Sequence, residues 1–146
     1  MKTEKQIMDK IKRIAEEIQS SEPGKMNDML SPEPVSCDPD TQTSKIRFEA
    51  KDWECNHRGE LHGGAVASMF DVSMGMTVLG FTEHNSVATA DLSVSYIRPF
   101  TGKSFIIEVN VIRAGRSMAR MRAIASDEAT GKVLASATST FVYADQ

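Results

Sequence analysis

The chain has 146 residues, of which 25% are charged, and its formal net charge is −3. A chain of this length can fold as one domain with a sizeable hydrophobic core. The slight acidic excess argues against a nucleic-acid partner, because general nucleic-acid binders carry a basic surface. The two cysteines, Cys37 and Cys55, have no metal-ligand spacing and suggest no disulfide framework, so both are expected to be free thiols.

Residues 1–40 are expected to form one helix followed by a proline-rich connector. Isoleucines spaced three or four residues apart predict an amphipathic helix over residues 3–20. Residues 21–40 contain four of the five prolines and show little periodicity, which is typical of a connector. The start of the chain has no apolar signal core, so a cytoplasmic location is expected.

Residues 41–146 are expected to form the main domain, with an α+β fold. Alternating polarity predicts a strand over residues 43–50. An apolar run predicts a buried helix over residues 63–79, which Gly80 ends. The apolar run contains Asp71 and several small residues, so neither a membrane span nor a membrane partner is expected.

Four further strands are predicted in series after this helix. They cover residues 86–98, 103–113, 117–126 and 133–143. Tight turns are expected at Ala114-Gly115 and at residues 127–131, so the last three strands form hairpins. Hairpin-linked strands preceded by one buried helix suggest an antiparallel sheet wrapped around that helix.

The first of these strands has two different faces. Alternation places Leu92 and Val94 on one face, and Thr89 and Asp91 on the other. Asp91 is expected to pair with an arginine rather than to act in catalysis.

The segment from Asn56 to Asp71 carries the most chemistry in the chain. His62-Gly63-Gly64 opens the apolar helix, and N–H groups in the first turn of a helix have no intrahelical partner. Together with the positive end of the helix dipole, these groups suit a developing oxyanion. Asp71 follows about two turns later, and a carboxylate in apolar surroundings loses hydration and becomes a stronger base. One short segment therefore offers both an oxyanion site and a candidate base.

These residues resemble the hotdog-fold acyl-CoA thioesterases of the phenylacetate-degradation type, within the hydroxybenzoyl-CoA thioesterase superfamily. The residues that carry the resemblance are Asn56, Gly59, Leu61-His62-Gly63-Gly64, Asp71, the run Thr89–Pro99, Gly115-Arg116-Ser117 and Thr130-Gly131-Lys132. It covers about residues 43–143. The resemblance implies a hotdog fold, hydrolysis of an acyl-CoA thioester, and a homodimer or a homotetramer built as a dimer of dimers.

The resemblance also implies a role for each matched position. A backbone N–H at Gly63 or Gly64 would polarise the thioester carbonyl, and Asn56 would position the thioester or the attacking water. Asp71 would be the general base, or the nucleophile through an anhydride. Thr89 stands where the family usually has a small hydroxyl residue that orients the water. The resemblance also implies that the site forms across a dimer interface. Asn56 and Gly63 of one chain would face Asp71 and Thr89 of the other.

His62 has two readings from the sequence, and both stay open. It either takes part in catalysis, or it packs and hydrogen-bonds at the start of the helix. The three histidines do not form a metal set, so neither a metal nor a resident cofactor is expected.

Arginines around one predicted hairpin are candidates for binding CoA. Arg113 and Arg116 flank the turn, and Ser117 follows it. CoA carries a 3′-phosphate and a pyrophosphate, and arginine is suited to phosphate recognition. Arg120 and Arg122 are expected to lie on a solvated strand face.

Two other functions fit the same residues. One is a non-catalytic acyl-CoA-binding protein, and the other is a hotdog hydratase or dehydratase acting on an enoyl or hydroxyacyl thioester. Asp71 argues for catalysis, and a His-Gly-Gly helix start with a downstream aspartate fits hydrolysis better than hydration. The acyl group stays open, with Trp53, Phe70 and Met74 as candidates for setting the width of its pocket.

Overall fold

A six-stranded antiparallel sheet wraps around one long helix in the computed structural model, which describes residues 2–145. In chain order the elements are α1 (Glu4–Ser21), α2 (Met26–Leu30), β1 (Glu33–Asp38), β2 (Thr43–Glu49), a short 3₁₀ helix (Asp52–Glu54), α3 (Gly63–Phe81), β3 (Val87–Tyr96), β4 (Ser104–Ala114), β5 (Met118–Asp127) and β6 (Val133–Tyr143). The strand order across the sheet is β1-β2-β4-β5-β6-β3. This arrangement confirms the predicted α+β hotdog fold.

The core lies between α3 and the concave face of the sheet. Alternate residues of β4 and β5 point inward, and Phe105, Val109 and Met121 are completely buried there. By length and composition alone α3 could cross a membrane, but 67% of its apolar window is buried inside the fold. It is therefore the central helix of this domain.

The predicted connector at residues 21–40 contains two elements that the sequence analysis missed. A five-residue helix, α2, is followed by β1, which pairs with β2 as an antiparallel hairpin. β1 lies at the edge of the sheet, and its register shifts between Pro34 and Ser36. An edge strand with a bulge tolerates proline, because the missing N–H interrupts no ladder on the solvent side. The prolines therefore concealed a strand that belongs to the same sheet as residues 41–146.

Gly80 does not end the central helix, which continues through it to Phe81. The glycine instead allows α1 to approach, since a Cβ atom at Gly80 would lie 2.5 Å from Cγ1 of Ile11. Ile11 is completely buried in this contact. The prediction of a helix stop at Gly80 is wrong because the absence of a side chain serves packing here rather than chain reversal.

Two lysines from the N-terminal segment cap the C-terminal end of α3. Lys10 Nζ donates to the carbonyl oxygens of Thr82 at 2.9 Å and His84 at 2.7 Å, and Lys2 Nζ donates to that of Thr82 at 2.7 Å. Positive charge is favourable at this end of a helix, where carbonyl groups lack intrahelical partners. The predicted amphipathic helix thus docks on α3 through both its apolar and its basic side chains.

A β-bulge changes which side of β3 Thr89 occupies. Thr89 pairs with Phe141 and Asp91 pairs with Thr140, so Ala90 is an extra residue in the strand. The bulge turns Thr89 toward α3, on the same side as the half-buried Leu92. The predicted placement of Thr89 opposite Leu92 is wrong, because strict alternation fails across one extra residue.

The two hairpin turns differ in how well they were predicted. The N–H of Gly115 donates to the carbonyl of Met118 at 2.8 Å, so the tip is Arg116-Ser117 and not Ala114-Gly115. At the second turn Asp127 Oδ1 accepts from two backbone N–H groups, and the N–H of Gly131 donates to the Asp127 carbonyl at 2.8 Å. The predicted turn at residues 127–131 is confirmed.

Replacing Gly80 by alanine is expected to cost about 1–3 kcal/mol through overpacking of the new methyl group against Ile11. Alanine offsets about 1 kcal/mol of this cost through its higher helix propensity, so the expected net destabilisation is up to about 2 kcal/mol. Urea unfolding measures both effects together.

The matched test is the double variant with Ile11→Ala. Alone, that change leaves a cavity and costs about 2–5 kcal/mol. In the double variant the methyl group at position 80 occupies part of that space, so the combined loss is smaller than the sum. Strictly additive losses would show that the two side chains do not meet.

Candidate active site

His62 forms the N-cap of α3. Its Nδ1 accepts a hydrogen bond from the N–H of Gly64 at 2.8 Å, so a neutral ring carries its proton on Nε2. The contact is tight, since a Cβ atom at Gly64 would lie 3.0 Å from Nδ1 of His62 and the ring would have to shift by a few tenths of an ångström to admit one. The structure thus gives His62 a capping role at the start of the helix.

The two glycines at the start of α3 differ in their hydrogen bonding. The N–H of Gly64 is engaged by His62, whereas the N–H of Gly63 has no acceptor within residues 2–145. The carbonyl of Gly63 accepts from the hydroxyl of Tyr96 at 2.5 Å, which ties the helix start to the end of β3. Burial raises the pKa of the Tyr96 phenol, so the hydroxyl remains a donor near neutral pH. Gly63 therefore offers the free N–H that an oxyanion requires.

Asn56 builds the turn that leads into this helix. Its Oδ1 accepts from the N–H of Arg58 at 2.9 Å and from that of Glu60 at 3.2 Å. Both bonds engage the side-chain oxygen. The amide Nδ2 has no acceptor in the described part of the chain. Asn56 and Gly63 border one groove of about 460 Å³, together with Tyr96. We call Asn56, Gly63 and Tyr96 the donor half of the site.

Asp71 and Thr89 form the second group. Thr89 Oγ1 donates to Asp71 Oδ1 at 2.5 Å, and the Asp71 side chain is half-buried on α3. This contact exists because the bulge at Ala90 turns the threonine toward the helix. The threonine oxygen keeps its lone pairs, which can accept from a water molecule beside the carboxylate. We call Asp71 and Thr89 the base half of the site.

One chain does not bring the two halves together. Gly63 and Asp71 are eight residues apart on α3, about 12 Å along the helix axis at 1.5 Å per residue. A water activated by the carboxylate must lie about 3 Å from the reacting carbonyl carbon, so one substrate cannot contact both halves of the same chain. The helix face that contains Asp71 is only partly covered and carries small residues: Gly64, Ala67, Ser68 and Gly75.

Glu54 is a buried carboxyl beside the helix start that the sequence analysis did not single out. Its side chain is 1% exposed, and its backbone carbonyl accepts from the N–H of His62 at 2.8 Å. Oε1 accepts from the N–H of Lys51 at 2.7 Å, whereas Oε2 is buried without a partner in the described chain. Burial raises the pKa of this carboxyl. A glutamate in a short polar loop gave no sequence signal for such burial.

The predicted CoA-binding residues lie far from the donor half of their own chain. Arg113, Arg116 and Ser117 are exposed around the β4–β5 hairpin. Tyr96 pairs with Ala135 of β6, whereas Met118, next to the hairpin, pairs with Val142 of β6. Ala135 and Val142 are seven residues apart along the strand, about 23 Å.

Two other arginines border the groove of the donor half. Arg58 Nε lies 3.3 Å from Glu60, and Arg98 donates to the Val133 carbonyl at 2.5 Å. They were missed because neither belongs to an arginine cluster.

Other sequence-based expectations can be compared with the described residues. Asp91 is exposed and forms no ion pair within residues 2–145, so its predicted arginine partner is wrong. Phe70 and Met74 are completely buried in the core, whereas Trp53 is 48% exposed beside the helix start. Both cysteines are free thiols.

Comparison with known proteins identifies the family. Residues 58–134, more than half of the chain, match the family described as the thioesterase superfamily. The chain belongs to the thioesterase superfamily. The medium/long-chain acyl-CoA thioesterase YigI of Escherichia coli strain K12 is 33% identical over 96 residues, which cover 56% of this chain and 61% of YigI. The match thus spans less than two thirds of that relative.

Solved structures of this superfamily have the same fold. Zebra fish thioesterase superfamily member 2 matches with a TM-score of 0.80 and 21% identity, covering 93% of this chain and 97% of that one. The Escherichia coli PaaI protein from the phenylacetic acid degradation operon matches with a TM-score of 0.75 and 14% identity, covering 94% of this chain and 95% of that one. The resemblance to hotdog thioesterases is therefore confirmed.

The capping role of His62 predicts a specific pattern of stability. His62→Ala is expected to lower the free energy of unfolding by about 1 kcal/mol, the usual cost of losing an N-cap. His62→Asn should restore most of the loss, because asparagine caps well. Urea unfolding of the three proteins measures this, and an asparagine variant as unstable as the alanine variant would contradict the capping role.

Proposed function

We propose that the protein hydrolyses acyl-CoA thioesters at sites shared between two copies of the chain. The observation that carries this proposal is the pair of complementary halves on α3. One half offers a free N–H and a free amide donor, and the other offers a carboxylate held by a hydroxyl group. Together they supply the oxyanion donors and the base that thioester hydrolysis needs. Membership in the thioesterase superfamily and the likeness to YigI support the same reaction.

The proposed reaction uses each half for one task. The N–H of Gly63 and the amide of Asn56 donate to the thioester carbonyl oxygen, where negative charge develops. Asp71 of the second copy removes a proton from water as the water oxygen attacks the carbonyl carbon. The tetrahedral intermediate then collapses, the C–S bond breaks, and CoA leaves and is protonated as the thiol. The hydroxyl of Thr89 holds one carboxylate oxygen and orients the water.

The general-base role is favoured over the nucleophilic role for Asp71. The hydroxyl of Thr89 donates to Oδ1, which reduces the electron density available for attack from that oxygen. It also leaves a lone pair on the threonine that can accept from the water. An anhydride with Asp71 remains the alternative mechanism for the same site.

A homodimer is proposed because β3 ends the sheet with a free edge. β3 pairs only with β6 among the described strands, and most of its residues are exposed. Two copies that pair their β3 edges antiparallel place the start of one strand beside the end of the other. That arrangement brings the Thr89 end of one copy to the Tyr96 end of its partner, and so unites a base half with a donor half. A tetramer made from two such dimers is compatible with the same site.

Pairing of the β3 edges also brings the predicted CoA-binding residues of one copy toward the donor half of its partner. The β4–β5 hairpin lies at the Thr89 end of the sheet, because Met118, Val142 and Ala88 occupy one row. In the dimer this end approaches the donor half of the partner. We propose that Arg113, Arg116 and Ser117 contact the phosphates of CoA across the interface, and that Arg58 and Arg98 contact CoA from the donor side.

The two alternative functions have less support. A hydratase or dehydratase would pair a histidine with an acidic residue, whereas the described hydrogen bond of the His62 ring is with the N–H of Gly64. A non-catalytic binding protein would not need the contact between Asp71 and Thr89. Assays of enoyl-CoA hydration beside thioester hydrolysis separate these functions.

The cytoplasmic location expected from the sequence stays a prediction.

Asp71→Asn is expected to reduce kcat for thioester hydrolysis by about a hundredfold or more, the usual scale for loss of a general base. The measurement follows release of free thiol from a panel of acyl-CoAs. Asp40→Asn is the matched control, because Asp40 is an exposed aspartate in the turn between β1 and β2, outside both halves of the site and the β3 edge, and should leave the rate unchanged. Equal rates for wild type and Asp71→Asn would remove Asp71 from the reaction.

Gly63→Pro removes the N–H that is proposed as the oxyanion donor and adds a ring, whose Cβ atom would lie 3.4 Å from the hydroxyl oxygen of Tyr96. Gly63 is the first residue of α3, where proline is well tolerated, and His62 has the extended conformation that proline requires before it. The variant should therefore remain folded while kcat falls by about 10²–10³, the usual effect of losing one oxyanion donor.

Mixing the two inactive variants tests whether the site is shared. A dimer of one Gly63→Pro chain and one Asp71→Asn chain has one doubly altered site and one intact site. Random reassortment makes half of the dimers mixed, so about a quarter of the wild-type activity should return. Continued inactivity of a mixture that has demonstrably exchanged chains would place each whole site within one chain.

A further inference from the structure

The peptide group between Gly63 and Gly64 is held at both of its ends. Its carbonyl accepts from the hydroxyl of Tyr96 at 2.5 Å, and its N–H donates to Nδ1 of His62 at 2.8 Å. The preceding peptide group carries the free N–H of Gly63, and its carbonyl accepts from the N–H of Val66 at 3.1 Å. The direction of the free N–H therefore depends on two adjacent peptide groups, of which the second is tied to β3.

Two successive glycines leave the start of α3 with little intrinsic stiffness. Glycine populates a wider range of φ and ψ than any other residue, and helix ends fray. An oxyanion donor acts at full strength only when it is fixed before the reaction, within about 0.5 Å of its productive position. A contact from another element is therefore needed to keep the N–H of Gly63 in place.

Tyr96 provides a rigid anchor for this contact. It is the last residue of β3 and pairs with Ala135 of β6, and the next two N–H groups along the chain donate to the carbonyl of Leu134 at 2.8 and 3.0 Å. The sheet thus fixes the backbone of Tyr96 while its side chain reaches the helix start. A hydroxyl group has one proton, which Tyr96 donates to Gly63, so the same hydroxyl cannot also donate to the thioester oxygen.

The two ends of β3 contact α3 through one hydroxyl group each. Near the start of the strand Thr89 donates to Oδ1 of Asp71, and at its end Tyr96 donates to the carbonyl of Gly63. The two hydroxyl groups therefore tie the base and the oxyanion donor of one helix to the same strand. In the proposed dimer β3 also lies against β3 of the partner, so Tyr96 of one copy and Thr89 of the other adjoin the same shared site.

We propose that Tyr96 is a positioning residue of the reaction, which holds the N–H of Gly63 in the direction that the thioester oxygen requires. This proposal rests on the proposed thioesterase function. Together with Thr89, Tyr96 fixes the distance between the oxyanion donor of one copy and the base of its partner through the paired β3 strands. Loss of the Tyr96 hydroxyl leaves every reacting group in the site but no longer holds the oxyanion donor in place.

Tyr96→Phe removes the hydroxyl and keeps the ring. With the acyl-CoA that wild type hydrolyses fastest, it should lower kcat about tenfold, less than the loss of about 10²–10³ that follows removal of an oxyanion donor, and change KM by less than about twofold. Tyr143→Phe is the matched control, because the hydroxyl of Tyr143, the other tyrosine of the chain, is buried without a hydrogen-bond partner within residues 2–145. An unchanged kcat in Tyr96→Phe would overturn the positioning role.

A second variant distinguishes positioning from direct contact with the substrate. Gly63→Ala narrows the backbone freedom at position 63, and its Cβ atom would lie 3.4 Å from the hydroxyl oxygen of Tyr96, an ordinary contact. Because alanine restores part of the lost stiffness, Tyr96→Phe should lower kcat by only about threefold in the Gly63→Ala background. A direct donor to the thioester oxygen would cost the same factor in both backgrounds, and equal factors would overturn the proposal.

Nuclear magnetic resonance reports on the contact itself without turnover. Gly63 and Gly64 are the only two successive glycines in the sequence. Glycine labelled with carbon-13 at the carbonyl and with nitrogen-15 therefore gives one peak in a spectrum that correlates each amide with the preceding carbonyl. Tyr96→Phe should shift the carbonyl frequency of this peak, because the Gly63 carbonyl loses its hydrogen bond to the phenol, and Tyr143→Phe should leave it in place. An unmoved peak in Tyr96→Phe would overturn the contact.

The activities of three proteins separate this proposal from the proposed function. Hydrolysis by wild type that is lost in Asp71→Asn and undiminished in Tyr96→Phe would overturn the role of Tyr96 and leave the proposed function intact. Hydrolysis that falls in both variants, with the smaller loss in Tyr96→Phe, would support both. A wild type that hydrolyses no acyl-CoA would overturn the proposed function and the positioning role together.

Discussion

The burial of α3 beneath the sheet determines where every group of the candidate site lies. The sheet covers most of the helix and leaves only one face, from Gly64 to Gly75, partly open. Its first turn presents a free N–H at one end of that face, and Asp71 lies two turns further along. Because a helix is rigid, the spacing between the oxyanion donor and the base is fixed by its rise per residue. Gly63 and Asp71 of one helix are too far apart to act on one thioester, and we therefore propose that a second copy of the chain supplies the base.

Two local features position the groups of the candidate site on this rigid frame. The cap by His62 engages the N–H of Gly64 and leaves that of Gly63 free, so one histidine selects which glycine can serve an oxyanion. The bulge at Ala90 turns Thr89 toward Asp71 without moving the rest of β3. Each feature depends on one residue, and each decides how a polar group of the candidate site is oriented.

The sequence predicts the regular parts of this fold well and its exceptions poorly. Periodicity predicts α3 and five of the six strands, because apolar residues form one long run in α3 and recur at strand spacing in those strands. β1 was missed since its prolines are tolerated only at a sheet edge, and a sequence does not show which strand is at the edge. The face of Thr89 was wrong because a bulge leaves no compositional signal. Glu54 was missed because its burial depends on α2 and on the start of α3, which are distant in the chain.

The contact of α1 with the end of α3 bears on how much of the chain forms one folding unit. The superfamily segment, residues 58–134, lacks α1, β2 and almost all of β6. Without α1, the side chain of Ile11 would no longer cover the surface around Gly80. The carbonyls of Thr82 and His84 would also lose Lys10 as a donor. The segment matched by the family model is therefore smaller than the unit that must fold. A shortened chain that begins at the superfamily boundary would keep Gly63, Asp71 and Thr89, but it would lose Asn56 and the contacts that hold the central helix in place.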